Sequence, residues 1–128
     1  ISYKDPVKEI SELATMLKKD KGCNLVVCMS HLGYKNKKAI DDITLAKEST
    51  GVDVIIGGHS ATFMQQPVVM LNKNKEEVIN NHAGHSGIAL GMIEIGFDQN
   101  GNKNRVSFNN TLIGADSKKW KELNNYLS

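Results

Sequence analysis

Nowhere in its 128 residues does the chain hold the roughly 20 consecutive apolar residues that a membrane-spanning helix needs, so no membrane span is expected. No segment reads as a signal peptide either. Charge of one sign is not in excess. The 16 Lys and Arg against 14 Asp and Glu are scattered, with no basic stripe of the kind that follows a nucleic-acid backbone, so no nucleic-acid partner is expected. The local run of lysines at 35–38 reads as a solvated loop. Cysteine is scarce: Cys23 and Cys28 flank one apolar strand at odd separation, which turns their side chains to opposite faces and speaks against a disulfide between them. Both are expected to be buried structural thiols. A Walker loop, a dinucleotide glycine fingerprint and a G-x-S-x-G nucleophile elbow are all missing. Beside these absences, 40% hydrophobic and 23% charged residues describe an ordinary globular chain of one domain or part of one.

The chain reads as α/β, a parallel βαβ unit followed by antiparallel strands. Residues 5–22 carry the signals of a complete helix: Asp5 to cap it, Pro6 in its first turn, an apolar stripe of Val7, Ile10, Leu13 and Leu17, and Gly22 to close it. The continuous apolar run at 25–29 suits a strand buried on both faces. A second helix is expected over 37–50, with Ala39, Ile43 and Ala46 on one side and Gly51 at its end, feeding a strand at 52–56. Strand, helix and strand at this spacing give parallel strands with a right-handed crossover. Later strands are expected at 67–71, 77–83, 88–97 and 105–113, largely antiparallel, with Asn100-Gly101 as a hairpin turn. The segment Asp98–Asn102 has some likeness to a calcium loop, but its glycine is misplaced and its twelfth position is Asn109, so it reads as that hairpin. Asp116 or Ser117 can cap a last helix bearing Trp120, Leu123 and Leu127 on one face.

The two early strands end alike. "VVCMSHLG" and "VIIGGHSA" each run from an apolar strand through two residues to a histidine, His31 and His59. Parallel strands bring both to the carboxyl edge, where open α/β sheets bind ligands, and adjacent strands lie about 4.8 Å apart. Two imidazoles can therefore converge on one ion, and Gly57 and Gly58 permit the close approach of backbone. The alternative is two polar residues where strands meet solvent; the matched pair favours the ligand reading. His82 and His85, in "NNHAGHSG", read as loop or core histidines, with substrate contact the lesser alternative for them.

"VVCMSHLGY", "LAKESTGVDVIIGGHSAT" and "NNHAGHSGIALGMIEIGFD" together resemble the latter half of the metallophosphatase domain of 5′-nucleotidases, which are calcineurin-like metallophosphoesterases. The resemblance covers nearly the whole chain. It implies half of a four-layer α/β/β/α sandwich, with two divalent ions such as Zn, Mn or Fe, and hydrolysis of phosphate esters by metal-activated water. It further implies that His31 and His59 are metal ligands, and that the substrate is a nucleotide or another phosphate ester. Two departures stand out. The family continues G-H-S-H or G-H-S-Q, whose last residue binds the second ion, and here that position is Ala61. One ion then loses a ligand unless water or the hydroxyl of Ser60 or Thr62 substitutes. Ser60, Thr62 and His85 are accordingly the residues expected near the substrate or second metal. The motifs D-x-H, G-D and G-N-H-D, which supply the bridging aspartate and catalytic histidine, are missing from residues 1–128. The chain is thus expected to be a single partial domain, inactive alone, with no catalytic residue of its own and its main partner the upstream half of the same domain. The resemblance also implies a periplasmic, cell-surface or secreted location. The competing readings are a noncatalytic scaffold that keeps the fold or binds metal weakly, and a hydrolase of nucleotide sugars or cyclic nucleotides.

Overall fold

The computed structural model describes residues 2–113; the helix expected around Trp120 lies outside the described residues. In chain order the elements are α1 (Pro6–Lys19), β1 (Val27–Met29), α2 (Asp42–Glu48), β2 (Val54–Ile56), β3 (Val68–Leu71), β4 (Glu77–Asn81), β5 (Ala89–Phe97) and β6 (Lys103–Leu112).

Helix α1 starts as its sequence requires, the Asp5 carboxylate accepting the Val7 amide at 2.9 Å, with Pro6 in the first turn. Val7, Ile10 and Leu17 of the expected stripe pack against the core, but Leu13 does not. Ala14 is the residue fully buried, while Leu13 is 47% exposed. The cause is a close approach: a Cβ on Gly51 would stand 3.1 Å from that of Ala14, so the helix seats on a glycine through its smallest side chain. Helix α2 begins at Asp42 and not at 37, because the Asp41 carboxylate accepts the amides of Thr44 at 2.8 Å and Asn36 at 2.9 Å, capping the helix and binding the preceding loop. Burial would raise the Asp41 carboxyl, but these hydrogen bonds outweigh it and hold the group below the ordinary carboxylate range. Ala39 therefore falls in an exposed bend.

The main sheet has four strands in the order β1-β2-β4-β3. The βαβ unit forms as read, β1 and β2 lying parallel with Val27 beside Val54 and Met29 beside Ile56. Strand β4 also joins β2 in parallel, and β3 alone runs antiparallel, at the far edge. The expected antiparallel character of the second half is thus confined to the β3–β4 and β5–β6 pairs. After β2 the chain first makes the outer strand, then turns back through Asn72, whose Oδ1 accepts the amides of Asn74 and Glu76, to fill the inner place.

Both helices cover one face of this sheet, and Ala14, Val26, Leu45, Ala46, Val52, Ile55 and Val78 form the core there. The other face meets the β5–β6 hairpin, where Gly91, Ile93 and Ile95 oppose Val54, Ile56 and Asn81. The side-chain amides of Asn81 and Asn110 exchange two hydrogen bonds at 3.0 and 2.7 Å, and a methyl group at Gly91 would overlap the Asn81 amide. The hairpin tip closes as expected, the Asp98 carboxylate accepting the amides of Asn100 and Asn102. The layers run α/β/β, as half of the expected sandwich does.

Strand β1 departs from its reading. It lies at a sheet edge, and one of its faces is open: Val27 is 50% and Met29 87% exposed. A run of apolar residues reads as buried on both faces wherever something covers both, and among the described residues the second face is covered only in part, Val27 lying at the margin of the β5–β6 hairpin and Met29 beyond it. Cys23 and Cys28 are half-buried free thiols, less buried than expected. Burial, followed by the nearby charge of Asp42, pushes the Cys28 thiol up, away from nucleophilic use.

At the opposite end of the sheet Asp53 is held by Lys103 at 2.6 Å, Lys18 at 2.9 Å and the Val26 amide at 2.8 Å, joining α1, β1 and the hairpin. Burial raises its pKa, but these partners more than reverse that and the carboxyl lies below its usual range. A depressed folded-state pKa stabilises above the unfolded value, near 3.9, and that contribution is lost as pH falls through the folded value. Asp53→Ala is therefore expected to lower stability at pH 7 by about 2 kcal/mol, both lysines being partly solvated. Denaturant melts of the two proteins should differ at pH 7 and converge below about pH 4.

Candidate metal centre

The carboxyl ends of β1 and β2 deliver the two histidines to one place. Ser30 extends β1, its amide donating to the Ile56 carbonyl at 2.9 Å, and Gly57 extends β2 by donating to the Asn81 carbonyl at 2.9 Å. One residue later on the first strand and two later on the second, the imidazoles of His31 and His59 meet edge to face, ring centroids 5.1 Å apart with planes at 72°. Both are solvent-exposed. A Cβ on Gly58 would stand 3.1 Å from His31 Nδ1, so that glycine leaves the ring its room. His59 itself has a left-handed backbone, φ 66°, and Ala61 follows at φ 51°. Each costs about 1 kcal/mol, and the surrounding turn must enforce them.

That turn is braced to its neighbour. Ser60 Oγ accepts the Tyr34 amide at 3.0 Å and lies 2.7 Å from Thr62 Oγ1, tying the loop after β2 to the loop after β1. Both hydroxyls are engaged in holding the turn. Ala61 is exposed and offers no donor atom. Beyond it the chain runs antiparallel to the stretch after β4, with Phe63 bridged to Ala83, Met64 N donating to His82 O and Gly84 N to Thr62 O. The His85 ring is exposed and bonds Ser86 Oγ at 3.0 Å.

Beneath the exposed pair lies a buried network that the sequence did not disclose. Asp42, the first residue of α2, is fully buried; its Oδ2 is 2.8 Å from Nε2 of His82, which is 2% exposed, and its Oδ1 accepts from the Ser30 hydroxyl. The Tyr34 ring meets His82 edge to face at 5.5 Å. Gly57 packs directly on this pair, since a methyl group there would overlap His82 Nε2 and Asp42 Oδ2. Serine, aspartate and histidine are thus in contact, but the order is wrong for a nucleophilic triad. The carboxylate stands between the hydroxyl and the imidazole, so His82 has no path to the Ser30 proton. The reading of His82 as a core histidine holds; its partner, 40 residues away, carried no local signal.

Neutral imidazoles are ligands of choice for zinc and its neighbours, and two that converge at a sheet edge fit part of a metal shell. They do not complete one. Among the described residues no group of three or more His, Cys, Asp or Glu is placed to hold an ion.

No family model matches the chain. Human 5′-nucleotidase is 29% identical to it over 142 aligned residues, which span 92% of this chain and 23% of that protein. A snake venom 5′-nucleotidase of Crotalus adamanteus is 26% identical, across 91% of this chain and 21% of its own. The crystal structure of a 5′-nucleotidase precursor from Thermus thermophilus superposes with a TM-score of 0.75 at 27% identity, over 98% of this chain and 27% of that one. The chain is similar to the 5′-nucleotidases. Likeness to these 5′-nucleotidases runs through both sheets and both histidine-bearing strand ends, and the chain spans about a quarter of their length.

Proposed function

We propose that this chain contributes to a metal-dependent phosphohydrolase acting on nucleotide phosphomonoesters, with His31 and His59 as two of its metal ligands. The observation that carries the reading is the convergence of the two imidazoles, 5.1 Å apart at the carboxyl edge of parallel strands. When bound, divalent ions in such a centre activate water and stabilise charge on phosphoryl oxygens. The chain's own part is to supply two neutral nitrogens, to hold them on braced turns, and to leave the nucleophile to water. Neither Cys28, with its raised pKa, nor Ser30, bound to a carboxylate, suits that role. The remaining ligands and the acid–base groups come from another part of the same domain. The open face of β1 and the groove between it and α1, lined by Ile10, Leu13, Met16, Cys28 and Met29, support this, as do relatives about four times as long. An extracytoplasmic location is supported by the venom and precursor relatives.

AMP hydrolysis and metal content, measured on this chain and on the full-length protein, test the reading. Activity with about two ions in the full-length protein supports it; absence of both there refutes it. A second reading, a scaffold without catalysis, is favoured by one observation, the methyl group at Ala61 where the second ion's ligand is expected. Histidine is among the residues that tolerate a left-handed backbone, and the position is exposed, so Ala61→His should be accommodated. We expect it to tighten the weaker of two metal-binding steps about tenfold or more, measured by isothermal titration. Unchanged affinity and stoichiometry would show that residue 61 does not face the ion.

A further inference from the structure

His31 and His59 are exposed and stand just beyond three-residue strands, so their placement depends on the turns that carry them and on what lies beneath. Asp42 and His82 are 0% and 2% exposed and sit 2.8 Å apart, and each touches the backbone of a ligand-bearing loop. On the His31 side, Ser30 Oγ donates to Asp42 Oδ1 while accepting the Leu32 amide at 3.2 Å, so the residues on both sides of His31 hang on one carboxylate oxygen. The Asp42 amide also donates to the Gly33 carbonyl at 2.9 Å. On the His59 side, Gly57 rests on the other carboxylate oxygen and on His82 Nε2 at a distance that excludes even a methyl group. His82 is itself fixed by the backbone pairing of its carbonyl with Met64 and by the Tyr34 ring. One carboxylate is thus shared by the floor of both loops.

We propose that Asp42 and His82 are positioning residues that set the separation and orientation of His31 and His59, acting through Ser30 and Gly57 without touching the ion. A buried carboxylate needs its donors, and here the donors are the Ser30 hydroxyl and the His82 N–H, so satisfying Asp42 and fixing the two loops are one event. The inference rests on the reading of His31 and His59 as metal ligands, and partners of this kind typically affect metal affinity about 10- to 100-fold.

The test uses cobalt(II) as a spectroscopic probe in the full-length protein, with affinity and ligand-field absorption read together. His82→Leu, which removes the donor but keeps bulk, is expected to weaken cobalt binding roughly tenfold or more and to change the absorption band. His82→Gln, which can still offer an N–H to Asp42 Oδ2, should recover affinity to within about threefold and restore the band. Should His82→Leu fail to fold, Ser30→Ala removes the other donor without bulk and is expected to weaken binding by about threefold or more. His31→Ala serves as the reference. If it loses cobalt while His82→Leu or Ser30→Ala keeps wild-type affinity and spectrum, positioning is overturned and the ligand reading stands. If His31→Ala itself binds as wild type does, the ligand reading fails and the proposal with it.

Discussion

Gly57→Ala should be among the most damaging single substitutions in this chain, costing about 3 kcal/mol or more or preventing soluble expression altogether. The penalty is steric. Gly57 does not have a positive φ, so an alanine backbone is permitted, but its methyl group would overlap His82 Nε2 and Asp42 Oδ2. Neither can retreat: both are buried, each is the other's hydrogen-bond partner, and separating them leaves a carboxylate short of a donor in the interior. Gly87 is the internal control. It has φ 67° with nothing within 4 Å of a built Cβ, so Gly87→Ala should cost only the backbone term of about 1 kcal/mol. Denaturant unfolding of both variants separates the two kinds of glycine, and equal, small losses would mean that the turn does not lie on the Asp42–His82 pair.

The second large effect concerns the exposed histidines. On the proposed reading, His31→Ala and His59→Ala are each expected to reduce metal-dependent phosphomonoester hydrolysis by the full-length protein at least about a hundredfold, since each would remove a ligand from the ion that would activate water. Stability should scarcely change, because both rings are exposed and neither belongs to the core. That combination, lost turnover with an intact fold, distinguishes ligands from structural histidines. Wild-type-like rates in either variant, with metal supplied, would remove that residue from the centre.

The sequence was legible where local chemistry decides. Asp5 and Pro6 start α1, although it ends at Lys19 with Asp20 as its cap and not at Gly22, and the matching strand ends placed His31 and His59 together on spacing alone. Ile43 lies in α2 as its spacing suggests, but Ala39 does not, because Asp41 binds an amide on either side of itself and, by this local contact, starts α2 at Asp42. The sequence misled where tertiary contact decides. Leu13 is the stronger hydrophobe, yet Ala14 is buried, because only a small side chain fits against Gly51. The parallel pairing of β4 with β2 was silent, since nothing within "EVINNHA" specifies which strand lies beside it. The same holds for Asp42 and His82, whose partnership spans 40 residues and whose meaning comes only from the glycine turn above them.

On the proposed reading His31 and His59 share one ion. Its most direct test is zinc titration of the full-length protein against His59→Ala, reading stoichiometry and affinity by competition with a chromophoric chelator. The variant is expected to lose one tightly bound ion, or to bind it at least about tenfold more weakly, with its melting curve in the metal-free state unchanged. The same number of ions bound with the same affinity would contradict it, and would leave the two imidazoles as solvated ends of neighbouring strands.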